Sequence, residues 1–389
     1  MASRAQNETI SAIQIKPFKS GGQKDRSKFL KKLAELSLRQ KIKMELGKAV
    51  FTPFIAPSYS PEMEWLLSAG GLITFKTDPT DKNLMRSSIP LSIGYSTNGS
   101  ITAGVRGFIY GKKDKYHVSG EFSFKDMPDH YWGVGYEKGR YTPRPDSTQY
   151  HRSWYQLKGN FVFKMVPDIY TGLFLDINQT IASELNPHMK NDPSVMKYGR
   201  DIRNIGIGVS VQYDSRDLAV NAYKGLFVDL TLVNYNKFFG GENRFWSVNF
   251  DFRKFVPFQK PRHTLAFQFK ATQTFGDVPW SDMALLGTPF DLRSYTWGRY
   301  RDKTMAAGIL EYRHMFNAKP GSSNFANKHG FVTWIGAGSL ASKINLLKKI
   351  LPSAGIGYRL EIQPKMNFRI DYGIGKNANG LYISFNEAF

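Results

Sequence analysis

Residues 286–316 read LGTPFDLRSYTWGRYRDKTMAAGILEYRHMF, a polar and aromatic stretch that runs into a strand-like one. From Met305 onward the side chains alternate. Gly308, Leu310 and Tyr312 fall on one face and Ala307, Ile309, Glu311 and Arg313 on the other, the period-two signature of a β-strand. Glu311 and Arg313 therefore point the same way. Ahead of them, Arg293, Arg299, Arg301 and Asp302 are interleaved with Phe290, Tyr295, Trp297 and Tyr300. That stretch is too charged for a core and too aromatic for a tether, so the spacing predicts a loop that docks on something.

Outward from this stretch the alternation recurs along the whole chain after Glu62. Runs at 65–77, 89–97, 101–110, 116–125, 130–137, 155–166, 169–180, 204–214, 226–235, 245–255, 263–275, 305–316, 331–339, 354–362, 367–374 and 381–389 give about sixteen strands of membrane-barrel length. In 245–255, Trp246, Val248, Phe250 and Phe252 oppose Ser247, Asn249, Asp251 and Arg253. In 204–214, five large apolar residues from Ile205 to Tyr213 oppose Gly206, Gly208, Ser210, Gln212 and Asp214, so the second face accepts polarity but not bulk. A two-sheet sandwich also alternates. The connectors decide: Pro167-Asp168, 259–262 and 363–365 are tight, whereas 140–153, 181–203 and 276–304 are long. Short turns at one rim, long loops at the other and an even strand count are what a transmembrane antiparallel barrel requires.

Composition agrees with this and excludes much else. With 14% aromatic residues and 35 Gly in 389 residues the chain favours sheet, and it contains no run of roughly eighteen apolar residues that would cross a membrane as a helix. A mean hydropathy of -0.38 is compatible with strands that are apolar on one side only. Zero Cys removes disulfides, thiolate nucleophiles and Cys-based metal sites. The seven His lack HxxxH or HxH spacing, and no GxSxG frames a serine, so neither metal, cofactor nor enzymatic activity is expected. A net charge of +21 draws nucleic acid, anionic lipid or lipopolysaccharide phosphates as partner classes. No nucleic-acid motif is present, which leaves lipid and lipopolysaccharide. The N-terminus has no apolar signal core and reads as a mature chain. Between about 26 and 46, Phe29, Leu33, Leu36, Ile42 and Leu46 recur at helical spacing among lysines and arginines, which predicts a short basic amphipathic helix.

Several of these stretches carry a family pattern. Leu286-Gly287, Leu292-Arg293-Ser294-Tyr295, Gly298-Arg299-Tyr300-Arg301-Asp302 and Glu311-Tyr312-Arg313 resemble the loop-and-strand signature of the outer membrane protein 85 superfamily, the BamA/TamA-like barrels. Tyr213-Asp214-Ser215-Arg216-Asp217, Gly276-Asp277-Val278-Pro279-Trp280, Gly355-Ile356-Gly357-Tyr358-Arg359, Arg369-Ile370-Asp371-Tyr372-Gly373 and the terminal Phe389 extend the resemblance from about residue 65 to the end. Ser294 stands where that family usually has glycine. Gly336 replaces an aspartate usual in the thirteenth strand, which removes one expected partner of Arg293. The segment before Trp65 is too short for a polypeptide-transport-associated domain.

The resemblance implies an all-β fold: a single transmembrane barrel of about sixteen strands over 63–389, preceded by a periplasmic segment, 1–62, that carries the short helix. It implies that the loop 276–304 enters the lumen and that Arg293 pairs with Glu311, with Arg313, Arg359 and Asp371 on the same inward wall. The seam of the cylinder is expected between a first strand at 65–77, weakened by Gly70 and Gly71, and a last strand ending in Phe389. The implied function is outer-membrane protein assembly, insertion or translocation, in company with other outer-membrane or periplasmic proteins. A scaffold, a pore or a lipid-contacting accessory barrel is the alternative.

Overall fold

The computed structural model describes residues 42–43, 46–81, 84–142, 147–219, 221–259, 262–316, 328–363 and 366–389. The strands are β1 (Val50–Ser60), β2 (Glu64–Phe75), β3 (Ser87–Ser96), β4 (Ile101–Tyr110), β5 (Tyr116–His130), β6 (Gln149–Val166), β7 (Ile169–Ser183), β8 (Asp201–Asp214) and β9 (Gly225–Tyr235). They continue as β10 (Phe245–Pro257), β11 (His263–Gly276), β12 (Ala284–Leu286), β13 (Tyr300–Asp302), β14 (Thr304–Met315), β15 (His329–Ala341), β16 (Leu351–Gln363), β17 (Met366–Gly375) and β18 (Ala378–Phe385). Sixteen of them close into one antiparallel barrel, each paired with its neighbours in the chain, while β12 and β13 form a separate ribbon inside the long loop between β11 and β14.

The period of two assigns every wall residue to lipid or lumen. Ile93, Leu173, Ile335 and Ile356 face outward and are each more than half exposed, as a lipid-facing band requires. Trp65, Tyr95, Trp246 and Phe275 ring its long-loop end, where amphipathic rings suit the headgroup level. The lumen is uneven. Along β3 to β5, and where β6 faces β5, its wall is built of small or hydrated groups such as Ser92, Gly104, Arg106, Glu121 and Lys158, with the Arg106–Glu121 pair at 2.8 Å still 54% and 35% exposed. Along β14 to β17 the inward side chains are sealed, and Leu286, Leu292 and Tyr295 of the loop join Val332 and Trp334 in one hydrophobic core.

Two expectations need correction. The barrel begins at Val50 rather than at 63: β1 pairs with β2 along its whole length, from Val50↔Thr74 to Ser60↔Glu64. Pro53 and Pro57, residues that interrupt most strands, are tolerated because of where β1 sits in the wall, described below. The run 130–137 is no strand. β5 extends to His130, and Tyr136–Tyr141 is a helical turn entered through the left-handed glycines Gly133 and Gly135. One strand missed and one misread leave the count at sixteen. The basic helix expected near 26–46 lies outside the described residues apart from Ile42, Lys43 and Leu46, of which the first two are helical.

Candidate functional site

Gly336 and Gly338 on β15, Gly355 and Gly357 on β16, and Gly373 and Gly375 on β17 all fall on the lumen side and leave a floor without side chains. The loop backbone lies on it. A Cβ added at Gly373 would overlap the carbonyl oxygen of Arg293, and one at Gly338 would sit 2.6 Å from Leu286 and Leu292. Such close approach is what requires glycine here. Ser294, unlike a turn glycine, keeps φ out of the left-handed region, and Gly375 leaves room for its hydroxyl.

The floor brings the expected charged residues together. Arg293 donates through Nη1 to Asp371 at 2.7 Å and through Nη2 to Glu311, and its guanidinium lies 3.8 Å from the centre of the Trp334 ring. Arg313 Nε donates to Glu311 at 2.6 Å and its Nη2 to the Phe389 carbonyl at 2.9 Å. Arg359 bridges Asp371 and Glu387. Arg369 is held least well, with Ser384 Oγ at 2.6 Å, the Pro289 carbonyl at 3.3 Å and Asp371 at 3.5 Å. All are buried. Moving an ion out of water costs several kcal/mol, about what a fully paired and hydrogen-bonded cluster returns, so Glu311 serves two guanidinium groups and Asp371 three, while Glu387 takes Arg359 and the Asn367 amide. Burial opposes the charge on Arg293, but Glu311 and Asp371 outweigh it and raise its pKa.

The loop is fastened at its other side too. The Trp297 N–H donates to Glu62 at 2.8 Å, and Lys125 Nζ lies 4.6 Å from the Trp297 ring and 5.0 Å from that of Trp154 on β6. Arg299 Nε donates to the Gly139 carbonyl at 2.9 Å. Arg301 is buried against Tyr131, 4.7 Å away, and donates to the Trp280 and Gly298 carbonyls. The side chain of Asp302 caps the Lys303 N–H. Trp280 stands edge-on to Tyr131 and Tyr150 and joins Met189, Val195 and Ile202 in a second apolar cluster, which lies over the long-loop mouth. Tyr295 ties the loop to the rim by donating to the Pro352 carbonyl at 2.7 Å and accepting from the Lys376 N–H.

The seam lies elsewhere than expected. Gly70 and Gly71 belong to β2, where Phe54 and Pro53 of β1 face them on one side and Ser92 and Leu91 of β3 on the other. The wall closes between β1 and β18 through a single register pair, Tyr59↔Ile383. The Trp65 N–H donates to the Thr97 hydroxyl at 3.2 Å and its C=O accepts from the Thr97 N–H at 2.8 Å, so both point toward β3, and its partner Tyr59 must direct its N–H and C=O away from β2 and toward β18. The same holds at every second residue. Pro53 and Pro57 therefore turn the N–H they lack toward the seam, where a proline breaks no bond of the β1–β2 ladder. On the other side β18 stops at Phe385. Asn386, at φ 66, swings the chain into the lumen, burying Glu387, Ala388 and Phe389 against Arg359, Phe255 and Arg313. Phe389 is thus a lumen residue and not a seam residue.

Sequence reasoning placed Glu311, Arg313, Arg359 and Asp371 on one wall and Arg293 on the loop that enters beside it, and the structure brings them together. It missed Trp334, Glu387 and Lys125. It also missed Asp291, which fastens the loop turn through the Gly287 and Thr288 N–H groups at 3.1 and 2.6 Å. The glycine floor did have a signal: Gly-x-Gly recurs at the same phase in three successive strands.

Comparison with known proteins agrees with the geometry. The family model for the Omp85 superfamily domain matches residues 89–387. BamA from Haemophilus ducreyi lacking POTRA domains 1–3 superposes with a TM-score of 0.57 at 14% identity, covering 87% of this chain and 70% of that one. CdiB from Acinetobacter baumannii gives 0.51 at 13% identity over 87% of this chain and 60% of that one. CdiB from Escherichia coli gives 0.50 at 12% identity over 86% and 62%. These are likenesses of fold, and the chain spans less than two thirds of either CdiB. No curated protein matches. With the signature loop seated on its floor and the family model covering well over half of its length, the chain is an outer-membrane β-barrel that belongs to the Omp85 superfamily.

Proposed function

We propose that this barrel handles polypeptide at its seam, offering the edge of β1 to a strand of a client on its way into or across the outer membrane. The observation that carries the reading is the closure of the wall by one pair, Tyr59↔Ile383, beside two prolines that cannot donate and a last strand that leaves the wall at Asn386. An edge held by so short a ladder is a pairing site for an incoming strand. The likeness to BamA supports insertion and the likeness to CdiB translocation; both act here as analogies of fold. A pore has the fastened loop and the apolar cap against it, because both occupy the path that ions would take. Partner proteins at the periplasmic rim belong to the same reading.

The test uses the absence of Cys from the sequence. Tyr59→Cys with Ile383→Cys places two thiols at a directly opposed pair, about 5.5 Å between Cα atoms, within disulfide reach. Oxidation should abolish client insertion by the reconstituted barrel, and reduction should restore it. Full activity with a locked seam overturns the proposal and leaves a scaffold role.

A further inference from the structure

The loop 342–350, which joins β15 to β16, reads SKINLLKKI and played no part in the site. It is exposed throughout except for the half-buried Leu347, and its apolar residues are the ones that stand out: Ile344 is 63% exposed, Leu346 46% and Ile350 62%. Beside them sit Lys343, Lys348 and Lys349. A single short turn, Ile344–Leu346, gives it form through bonds from the Leu346 and Leu347 N–H groups to the Lys343 and Ile344 carbonyls. Three large aliphatic side chains in water would be a liability on a soluble surface. Here they stand at the end of the lipid-facing band.

Both feet of the loop grow out of that band. Ile350 continues the outward phase of Pro352, Ala354 and Ile356 on β16, and Ala341 continues that of Ile335 and Ala337 on β15. The ladder row Gln273–Thr304–Ala341 brings the first foot within two residues of Phe275, part of the aromatic ring at that rim. The loop therefore begins at headgroup level with apolar groups on offer. The electrostatics point to one kind of occupant. Residues 342–350 contain no carboxylate, and among the described residues their ion pair is a loose one between Lys349 and Glu137 at 3.4 Å, with side chains 61% and 59% exposed. Lys376 stands at the next hairpin tip on the same rim. Apolar side chains flanked by ammonium groups at the edge of a membrane match the two halves of an anionic amphiphile.

We propose that loop 342–350 is a lipid-binding element. Ile344, Leu346 and Ile350 enter the outer leaflet, and Lys343, Lys348 and Lys349 hold the phosphate of an anionic lipid headgroup. The proposal is independent of any seam activity.

The experiment labels Leu346→Cys with an environment-sensitive fluorophore in the full chain, with Lys190→Cys on the cap over the mouth as the aqueous reference. Nanodiscs are made of phosphatidylcholine alone or with phosphatidylglycerol. The Leu346 label should be quenched by chain-brominated lipid and shielded from iodide, and the Lys190 label should show the reverse. Native mass spectrometry should find phosphatidylglycerol retained on the unlabelled barrel. Retention should fall by roughly fivefold for each lysine changed to glutamine at 343, 348 and 349, the factor expected for one lysine at an anionic surface. Equal iodide access at both labels overturns the proposal. So does shielding without any preference for phosphatidylglycerol, or a preference that survives the triple change, because the lysines would then hold no headgroup. Heat-modifiability of each variant shows that the barrel is folded in every arm.

Discussion

The carbonyl oxygen of Arg293 occupies the space where a side chain on Gly373 would begin. The loop and the wall are therefore complementary at the level of one missing methyl group. Gly373→Ala should lift the loop from its floor at a cost of about 3 kcal/mol, the upper end for overpacking a rigid site. Trypsin should then cut within 293–303, which holds Arg293, Arg299, Arg301 and Lys303, in a barrel that still migrates as folded. Gly107→Ala is the control, because the nearest atom to its added Cβ, on Ile89, is 3.9 Å away.

Acids, not arginines, are scarce in the sealed cluster. Arg293, Arg313, Arg359 and Arg369 share Glu311, Asp371 and Glu387. Asp371→Asn strips a partner from three guanidinium groups and should destabilise by about 3–5 kcal/mol, the usual result of orphaning a buried charge. Arg369→Met removes the cation with the longest ion-pair distance of the four and should cost under about 1 kcal/mol. Denaturant midpoints in detergent micelles distinguish the two, and equal losses would contradict this account of the cluster.

Pro57 stands opposite the end of β18 when the Tyr59↔Ile383 register is continued. Pro57→Val restores an N–H aimed at that strand and adds one hydrogen bond worth about 1 kcal/mol. Amide exchange at Ile383 and Phe385 should slow several-fold. If β1 serves as a pairing edge, client insertion should slow with it, whereas Val in place of Pro90, inside the wall on β3, should leave the seam unchanged.

Asp282 gives the loop a pH dependence. Burial raises its pKa from 3.8 to about 6, opposed by the Ser281 hydroxyl at 2.6 Å, reinforced by Asp176 and opposed again by Asn204 at 2.9 Å. A carboxyl raised in the folded state binds its proton more tightly there than when unfolded. Its contribution is therefore complete below about pH 4 and is lost as pH rises through about 6. Protection of amides 277–283, corrected for intrinsic exchange, should decline over that window. Asp282→Asn should flatten the decline.

Much of this was legible because a barrel wall obeys one rule, alternation, that survives without tertiary information. Arg293 could be matched with Glu311 and Asp371 because the motif named the loop residue and strand phase named the inward ones. The rule fails where the chain leaves the wall. At Asn386 the left-handed turn ends the alternation, so nothing in the pattern 381–389 directs Glu387 to Arg359 or Phe389 to Arg313. β1 was hidden for the opposite reason. Pro53 and Pro57 are breakers in a paired strand, and only the knowledge that one side of β1 is nearly unpaired makes them ordinary. His130–Glu137 misled because it continues the phase of β5 for a few residues before Gly133 and Gly135 turn it into the helical segment.

The uneven lumen carries a consequence for how the chain folds. β14 to β17 with their loop own a dry core, so that segment has a driving force of its own as soon as it is complete. The inward faces of β3 to β5 bury little over most of their length, and those strands gain their stability from ladder bonds and surrounding lipid. A chain made from its N-terminus therefore emerges with these weaker strands early and must keep them from pairing wrongly until the C-terminal third appears. Closure joins Tyr59 to Ile383, residues from opposite ends of the sequence, and is the step with the largest loop to close and the fewest bonds to reward it. In pulse-labelled exchange, amides of β14 to β17 should be protected first, those of β3 to β5 later, and Ile383 last.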